Sequence, residues 1–174
     1  MYHEIERKFL IRRMPKISGI RPEVQERYFL QHGDLAEERI QKRGDIYEYE
    51  LKMALSPREW RREKRSIPES EFRDLATRAP KVLIRESYSM SKKNPRISIK
   101  KYKGDYRGLE IAEVEFDSLE ESEAFKPLDW MGTEVTNTNL GRDSRLLSLD
   151  REHFVALLDT YMESLNPSKS FEGI

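Results

Sequence analysis

Glu4-Ile5-Glu6-Arg7-Lys8-Phe9-Leu10 is the stretch on which the fold turns. Side chains on a strand point alternately to opposite faces. Glu4, Glu6 and Lys8 therefore share one face, with Ile5 and Phe9 on the other. Near the other end of the folded region Glu113 and Glu115 share a face, opposite Ala112, Val114 and Phe116. The segments between repeat the theme. Arg39, Gln41 and Arg43 fall together, as do Glu48, Glu50 and Lys52, then Arg61, Glu63 and Arg65. Arg96, Ser98 and Lys100 oppose Ile97 and Ile99. About eight alternating segments result: 4–10, 24–30, 38–43, 47–53, 61–67, 81–90, 96–102 and 109–116. Short spacing of this kind points to a barrel or a curved sheet.

Helices follow from a different period. Residues 68–79 place Phe72, Leu75 and Ala76 on one face. Ser118-Leu119-Glu120-Glu121 has the form of a capping box and opens a short helix to Phe125. Ser148 precedes a longer helix over 149–165, whose apolar stripe is Phe154, Leu157, Leu158, Tyr161, Met162 and Leu165. Residues 1–166 read as one domain and 167–174 as a flexible tail.

The chain has 174 residues with 32 Lys and Arg, 32 Asp and Glu, and no Cys. Disulfides and thiolate metal sites are thereby excluded. The longest apolar run, Phe154 to Leu158, is far short of the ~20 residues of a membrane helix. No membrane role is expected, and the start lacks a signal-peptide pattern, so the expected compartment is the cytoplasm. The zero net charge conceals an asymmetry: residues 39–103 carry a net of +10 and residues 104–174 a net of −10. The basic block suits an anionic partner. The acidic block suits a cation, or else neutralises the basic block within the fold.

A charged face on one strand is ordinary on a solvated sheet. On nearly every strand at once, it gains a second reading: the strands close with the charges inside and the apolar faces outward beneath the helices. Buried charge is costly unless paired or met by an ion. A polyanion with a divalent metal would satisfy both sets, carboxylates binding Mg²⁺ or Mn²⁺ and Lys and Arg holding phosphate oxygens.

Glu4-Ile5-Glu6-Arg7-Lys8 resembles the E-x-E-x-K signature of the CYTH, or triphosphate tunnel metalloenzyme, superfamily. Gly108-Leu109-Glu110-Ile111-Ala112-Glu113-Val114-Glu115 is similar to its late G-L-x-x-A-E-x-E strand. Pro127, Trp130, Gly132 and Glu134-Val135-Thr136 are similar to its P-x-W-x-G-x-E-V-T ending. The resemblance implies an α+β fold: an eight-stranded antiparallel closed β-barrel, a tunnel, with helices packed outside and a C-terminal helix. It implies a metal-dependent triphosphatase acting on a triphosphate-containing small molecule, inorganic tripolyphosphate foremost. Class IV adenylate cyclase chemistry and non-catalytic triphosphate binding are the alternatives. Nucleic acid is not the expected partner, and a monomer or homodimer is the expected state. Carried over, Glu4, Glu6, Glu113 and Glu115 are the metal positions, with Mg²⁺ or Mn²⁺ as the ion. Lys8, Arg39, Lys52, Arg61 and Arg85 are substrate-binding positions, and Glu4, Glu6, Lys8 and Glu63 catalytic ones. The chain departs from the family at Gln41 in the R-x-R strand, at Arg65 in the R-x-E-x-E strand, at Leu83 in the K-x-R strand, and at Lys100 where an inward Asp is usual.

Overall fold

A computed structural model describes residues 2–165. The predicted tail, 167–174, lies outside the described residues. In chain order the elements are β1 (Tyr2–Ile11), β2 (Glu23–His32), β3 (Ala36–Arg43), β4 (Ile46–Ala54), β5 (Glu59–Ser66), α1 (Glu69–Ala76), β6 (Val82–Ser91), β7 (Arg96–Tyr102), β8 (Glu110–Phe116), α2 (Leu119–Ala124), β9 (Met131–Glu134), α3 (Asp143–Leu146) and α4 (Arg151–Leu165). The antiparallel order runs β5-β4-β3-β2-β6-β7-β8-β1, and β5 pairs back onto β1, closing an eight-stranded barrel. Closure uses both sides of β1. One side pairs β8 from Ile5 to Leu10. The other pairs β5 over Tyr2–Ile5 and then β9 from Phe9 to Ile11. The ninth strand, too short to read from periodicity, covers the part of β1 that β5 leaves bare.

The outer faces of the strands are apolar because the helices cover them. Tyr28, Ile40, Tyr47 and Tyr49 pack around Phe72 of α1. Ile5, Phe9, Ile99, Ala112, Val114 and Phe116 pack with Phe125, Trp130 and Met131. Arg7 sits on this outer face and is also buried. It donates to both carboxylate oxygens of Glu134 at 2.9 and 2.7 Å and to the carbonyls of Ser122 and Phe125, tying β1 to β9 and α2. Ser118 caps α2, accepting from the Glu121 amide as its spacing predicts. The long helix begins at Arg151 rather than at 149, and Asp150 before it accepts from the His153 amide. Met162 of the predicted stripe is exposed.

The inward faces change character along the barrel axis. Leu10, Phe29, Leu83, Tyr102 and Ile111 share the parity of the charged residues on their strands, yet join Leu140, Leu146, Leu147 and Phe154 in one apolar cluster. The segment from Val135 through α4 thus fills one end of the lumen. The charged cavity opens toward the other.

Candidate functional site

A cavity of about 210 Å³ occupies the open part of the barrel. Of the residues singled out from sequence, Glu4, Glu6, Lys8, Arg39, Lys52, Arg85, Glu113 and Glu115 all line it. They come from β1, β3, β4, β6 and β8, and alternation brings them to one place once the sheet closes.

Arg61 and Glu63 do not line it. In an antiparallel ladder directly paired residues share a face, and Lys52 pairs with Arg62, Leu51 with Glu63 and Met53 with Arg61. Arg62 therefore joins Lys52 inside, with Lys64 beyond it, while Arg61, Glu63 and Arg65 face outward. A one-residue slip inverts every side chain of a strand, and the sequence alignment of β5 slipped by one. Arg65 pairs with Glu71 outside the barrel at 2.8 Å and so brings no charge to the lumen.

The structure adds residues that sequence reasoning passed over. Arg27 is buried, donates to Gln41 at 2.6 Å and reaches Asp143 at 2.8 Å. A guanidinium from β2 thus stands beside the position where Gln41 replaces a cation. Asp143, at the start of α3, also accepts from the Tyr102 hydroxyl at 2.9 Å. Glu50 has no exposed surface; it accepts from Arg39 at 3.0 and 2.7 Å and from Arg62 at 2.8 Å. Parity alone could have found Arg27 and Arg62, given the correct register. Asp143 lies in a four-residue helix with no periodic signal.

Among the described residues ten basic side chains and six acidic ones line the cavity. The acids are already engaged. Glu4 contacts Lys52 at 3.3 Å and Arg62 at 2.8 Å; Glu6 contacts Lys8 at 3.3 Å. Glu113 has Lys8, Arg85 and Lys100 at 3.7–3.9 Å, and Glu115 has Arg96 at 3.2 Å. Burial works against ionisation of Glu4, but Lys52 and Arg62 overcome it and hold its carboxyl below the ordinary value. Burial dominates at Glu6, where Glu4 and Glu113 add to it, and its carboxyl is raised. Glu115 is raised by burial and then by Glu4. Burial, reinforced by Arg85, Arg27 and Lys8 against the pull of Glu113, lowers the Lys100 ammonium to about 8.

Whether these acids suit a divalent ion follows from their chemistry and register. They are hard oxygen donors, and Glu6 pairs directly with Glu115 across β1 and β8. Among the described residues no three carboxylate or imidazole groups converge closely enough to cage an ion. The set fits the mode in which Mg²⁺ keeps water and takes one or two carboxylates together with substrate phosphates.

Closed barrel, inward charges and helices outside match the tunnel architecture that the sequence resemblance implies, and the solved structures the chain resembles are consistent with the CYTH, or triphosphate tunnel metalloenzyme, superfamily. It is similar to the inorganic triphosphatase NE1496, at 26% identity and a TM-score of 0.60 over 84% of this chain and 95% of that one. The fold recurs in the PH1012 protein of Pyrococcus horikoshii, at 16% identity and a TM-score of 0.53 over 69% of this chain and 82% of that one. It recurs also in a candidate adenylate cyclase of Bacillus halodurans, at 13% identity and a TM-score of 0.53 over 99% of this chain and all of that one. No protein-family model and no curated protein matches the chain. No helix among the described residues is long and apolar enough to cross a membrane.

Proposed function

We propose that the protein hydrolyses a linear triphosphate, inorganic tripolyphosphate in the simplest case, bound inside the barrel. The observation that carries this is the cationic excess around a cavity inside the barrel, where side chains from all eight barrel strands meet. Unpaired buried cations are costly, and a chain of phosphates supplies closely spaced anionic oxygens to meet them. Arg39, Arg85 and Arg62 suit bidentate contacts to those oxygens, while Lys8 and Lys52 act as point charges. The likeness to an inorganic triphosphatase supports the same substrate.

In the reaction a water oxygen bonds to the terminal phosphorus as the bridging P–O bond breaks, releasing phosphate and pyrophosphate. Lys8, Arg39, Lys52 and Arg85 stabilise charge on the transferring group and the leaving oxygen. Glu6 and Glu115, whose carboxyls burial raises, would accept the hydrogen bond of the attacking water. Glu63 is removed from this role by its outward face. Mg²⁺ or Mn²⁺, held by acids of the set Glu4, Glu6, Glu113 and Glu115, would add Lewis-acid charge on the phosphate oxygens.

The test is product analysis on tripolyphosphate and on ATP, each with Mg²⁺ and with Mn²⁺. Equal release of phosphate and pyrophosphate from tripolyphosphate is expected. Cyclic nucleotide from ATP would replace this reading with the cyclase one. Absence of any product would leave binding without turnover, a reading that Gln41 and Lys100, both inside the cavity, favour.

A further inference from the structure

The acids of the cavity do not stand ready for an ion. Each of the four proposed metal carboxylates is already within 4.0 Å of at least one cation of the chain. No three of them converge among the described residues. The cations outnumber the acids and press on one another. Lys100 is the clearest case. It lies on β7, where the family usually has an acid. It is buried, donates to the Ser87 hydroxyl at 2.8 Å and lies 3.7 Å from Glu113.

Its place is informative as well. Lys100 lines the main cavity and also a second space of about 260 Å³ walled by β6, β7 and β8. That space is lined by Ser87, Ser89, Ser91 and Ser98 together with Glu113 and Glu115, and Lys100 borders both it and the main cavity. An anion held in the main cavity meets it in the cavity wall. A divalent ion approaching first meets carboxylates whose charge Lys8, Lys100 and Arg85 already offset, and like charges repel it.

We propose that the barrel takes up a linear triphosphate without a divalent ion already in place, Lys100 supplying from the chain part of the positive charge that a pre-bound ion would bring. Acids of the set Glu4, Glu6, Glu113 and Glu115 would hold the ion afterwards. This order rests on the triphosphate reading above and deepens it: the protein recognises the free polyanion, and metal affinity is created by the bound phosphates.

The experiment is calorimetric titration of the full chain with tripolyphosphate, in EDTA and in Mg²⁺, at about 0.15 M salt to suppress non-specific attraction. Mg²⁺ alone is titrated separately. Expected are saturable 1:1 binding in EDTA within about tenfold of that in Mg²⁺, and no saturable heat from Mg²⁺ on the free protein. Lys100→Gln should weaken binding in EDTA by about tenfold or more, and Lys100→Arg should recover much of it. Glu113 keeps Lys8 and Arg85 in both variants, and an unchanged melting temperature verifies that the fold is intact. Binding seen only with Mg²⁺, or tight Mg²⁺ binding to the free protein, overturns the order proposed and leaves the triphosphate reading standing. Undiminished binding by Lys100→Gln overturns the role of Lys100. No binding in either buffer overturns the triphosphate reading and this inference together.

Discussion

Replacing Glu50 by Gln removes one charge from the middle of the barrel while keeping its shape. The Glu50 side chain is fully buried, with one oxygen accepting from Arg39 twice and the other from Arg62. Gln can orient its carbonyl toward one guanidinium only, so its amide group faces the N–H donors of the other. Breaking one side of a buried pair costs about 3–5 kcal/mol; here Arg39 and Arg62 each lose a buried partner and keep Glu37 and Glu4 respectively. For a chain of this size that is a fall of about 6–20 °C in melting temperature, at about 2–4 °C per kcal/mol. The pH dependence follows from the direction of the shift. Burial opposes ionisation, but Arg39, Arg62 and Arg27 hold the Glu50 carboxyl well below its ordinary 4.5. A depressed carboxylate contributes stability that is full above the unfolded value and fades as pH falls through the folded one. Urea unfolding at a series of pH values should therefore show the wild type ahead of Glu50→Gln by a constant margin above about pH 5, narrowing in more acid solution. Saturating tripolyphosphate should help the variant more than the wild type, since it gives Arg39 and Arg62 another anionic partner. A margin under about 1 kcal/mol at neutral pH, the range of an exposed pair, would refute the reasoning, as would a margin that persists unchanged into acid.

Further outcomes follow from the same structure. Glu4→Ala and Glu115→Ala should each lower turnover of tripolyphosphate, measured as phosphate release at saturating substrate; unchanged rates in both would take these acids out of the mechanism. Arg62→Ala should weaken tripolyphosphate binding while Arg61→Ala leaves it nearly as it was, because only Arg62 faces the cavity; the reverse result would mean that β5 is paired one residue out of place. Gly141→Ala should be among the most damaging single substitutions, at or above the ~1–3 kcal/mol of ordinary overpacking, because a Cβ there runs into the backbone of Val135. Gly132→Ala should cost less, since the atom it meets, at 2.6 Å, is the flexible end of Leu165; thermal melts of the two variants compare them directly.

The particular residues show what was legible in one dimension. Period-two alternation located the eight barrel strands within a few residues, and it separated Glu4, Glu6 and Lys8 from Ile5 and Phe9. The resemblance around Glu4–Lys8 and Gly108–Glu115 selected a closed barrel over a curved sheet. Eight of the ten site positions read this way line the cavity. The failures are of two physical kinds. Arg61 and Glu63 were misplaced because β5 is charged on both parities, Arg61, Glu63 and Arg65 on one and Arg62 and Lys64 on the other, so composition could not say which face turned inward. Only the pairing of Lys52 with Arg62 decides it. Asp143 and the apolar end of the lumen were missed because they depend on where Val135 to Leu147 comes to rest after the barrel has closed.

By itself, then, the amino-acid order determined the eight barrel strands and three of the helices, a charged face on nearly every strand and the candidate acids of β1 and β8. Those are local properties, carried by side-chain period and short motifs. The tertiary structure decided which face of β5 points inward, that Glu50 and Asp143 anchor the arginines, and that the barrel is filled at one end. These depend on register and on contacts between residues more than a hundred positions apart, such as Arg27 with Asp143, and no local pattern encodes a distance of that kind.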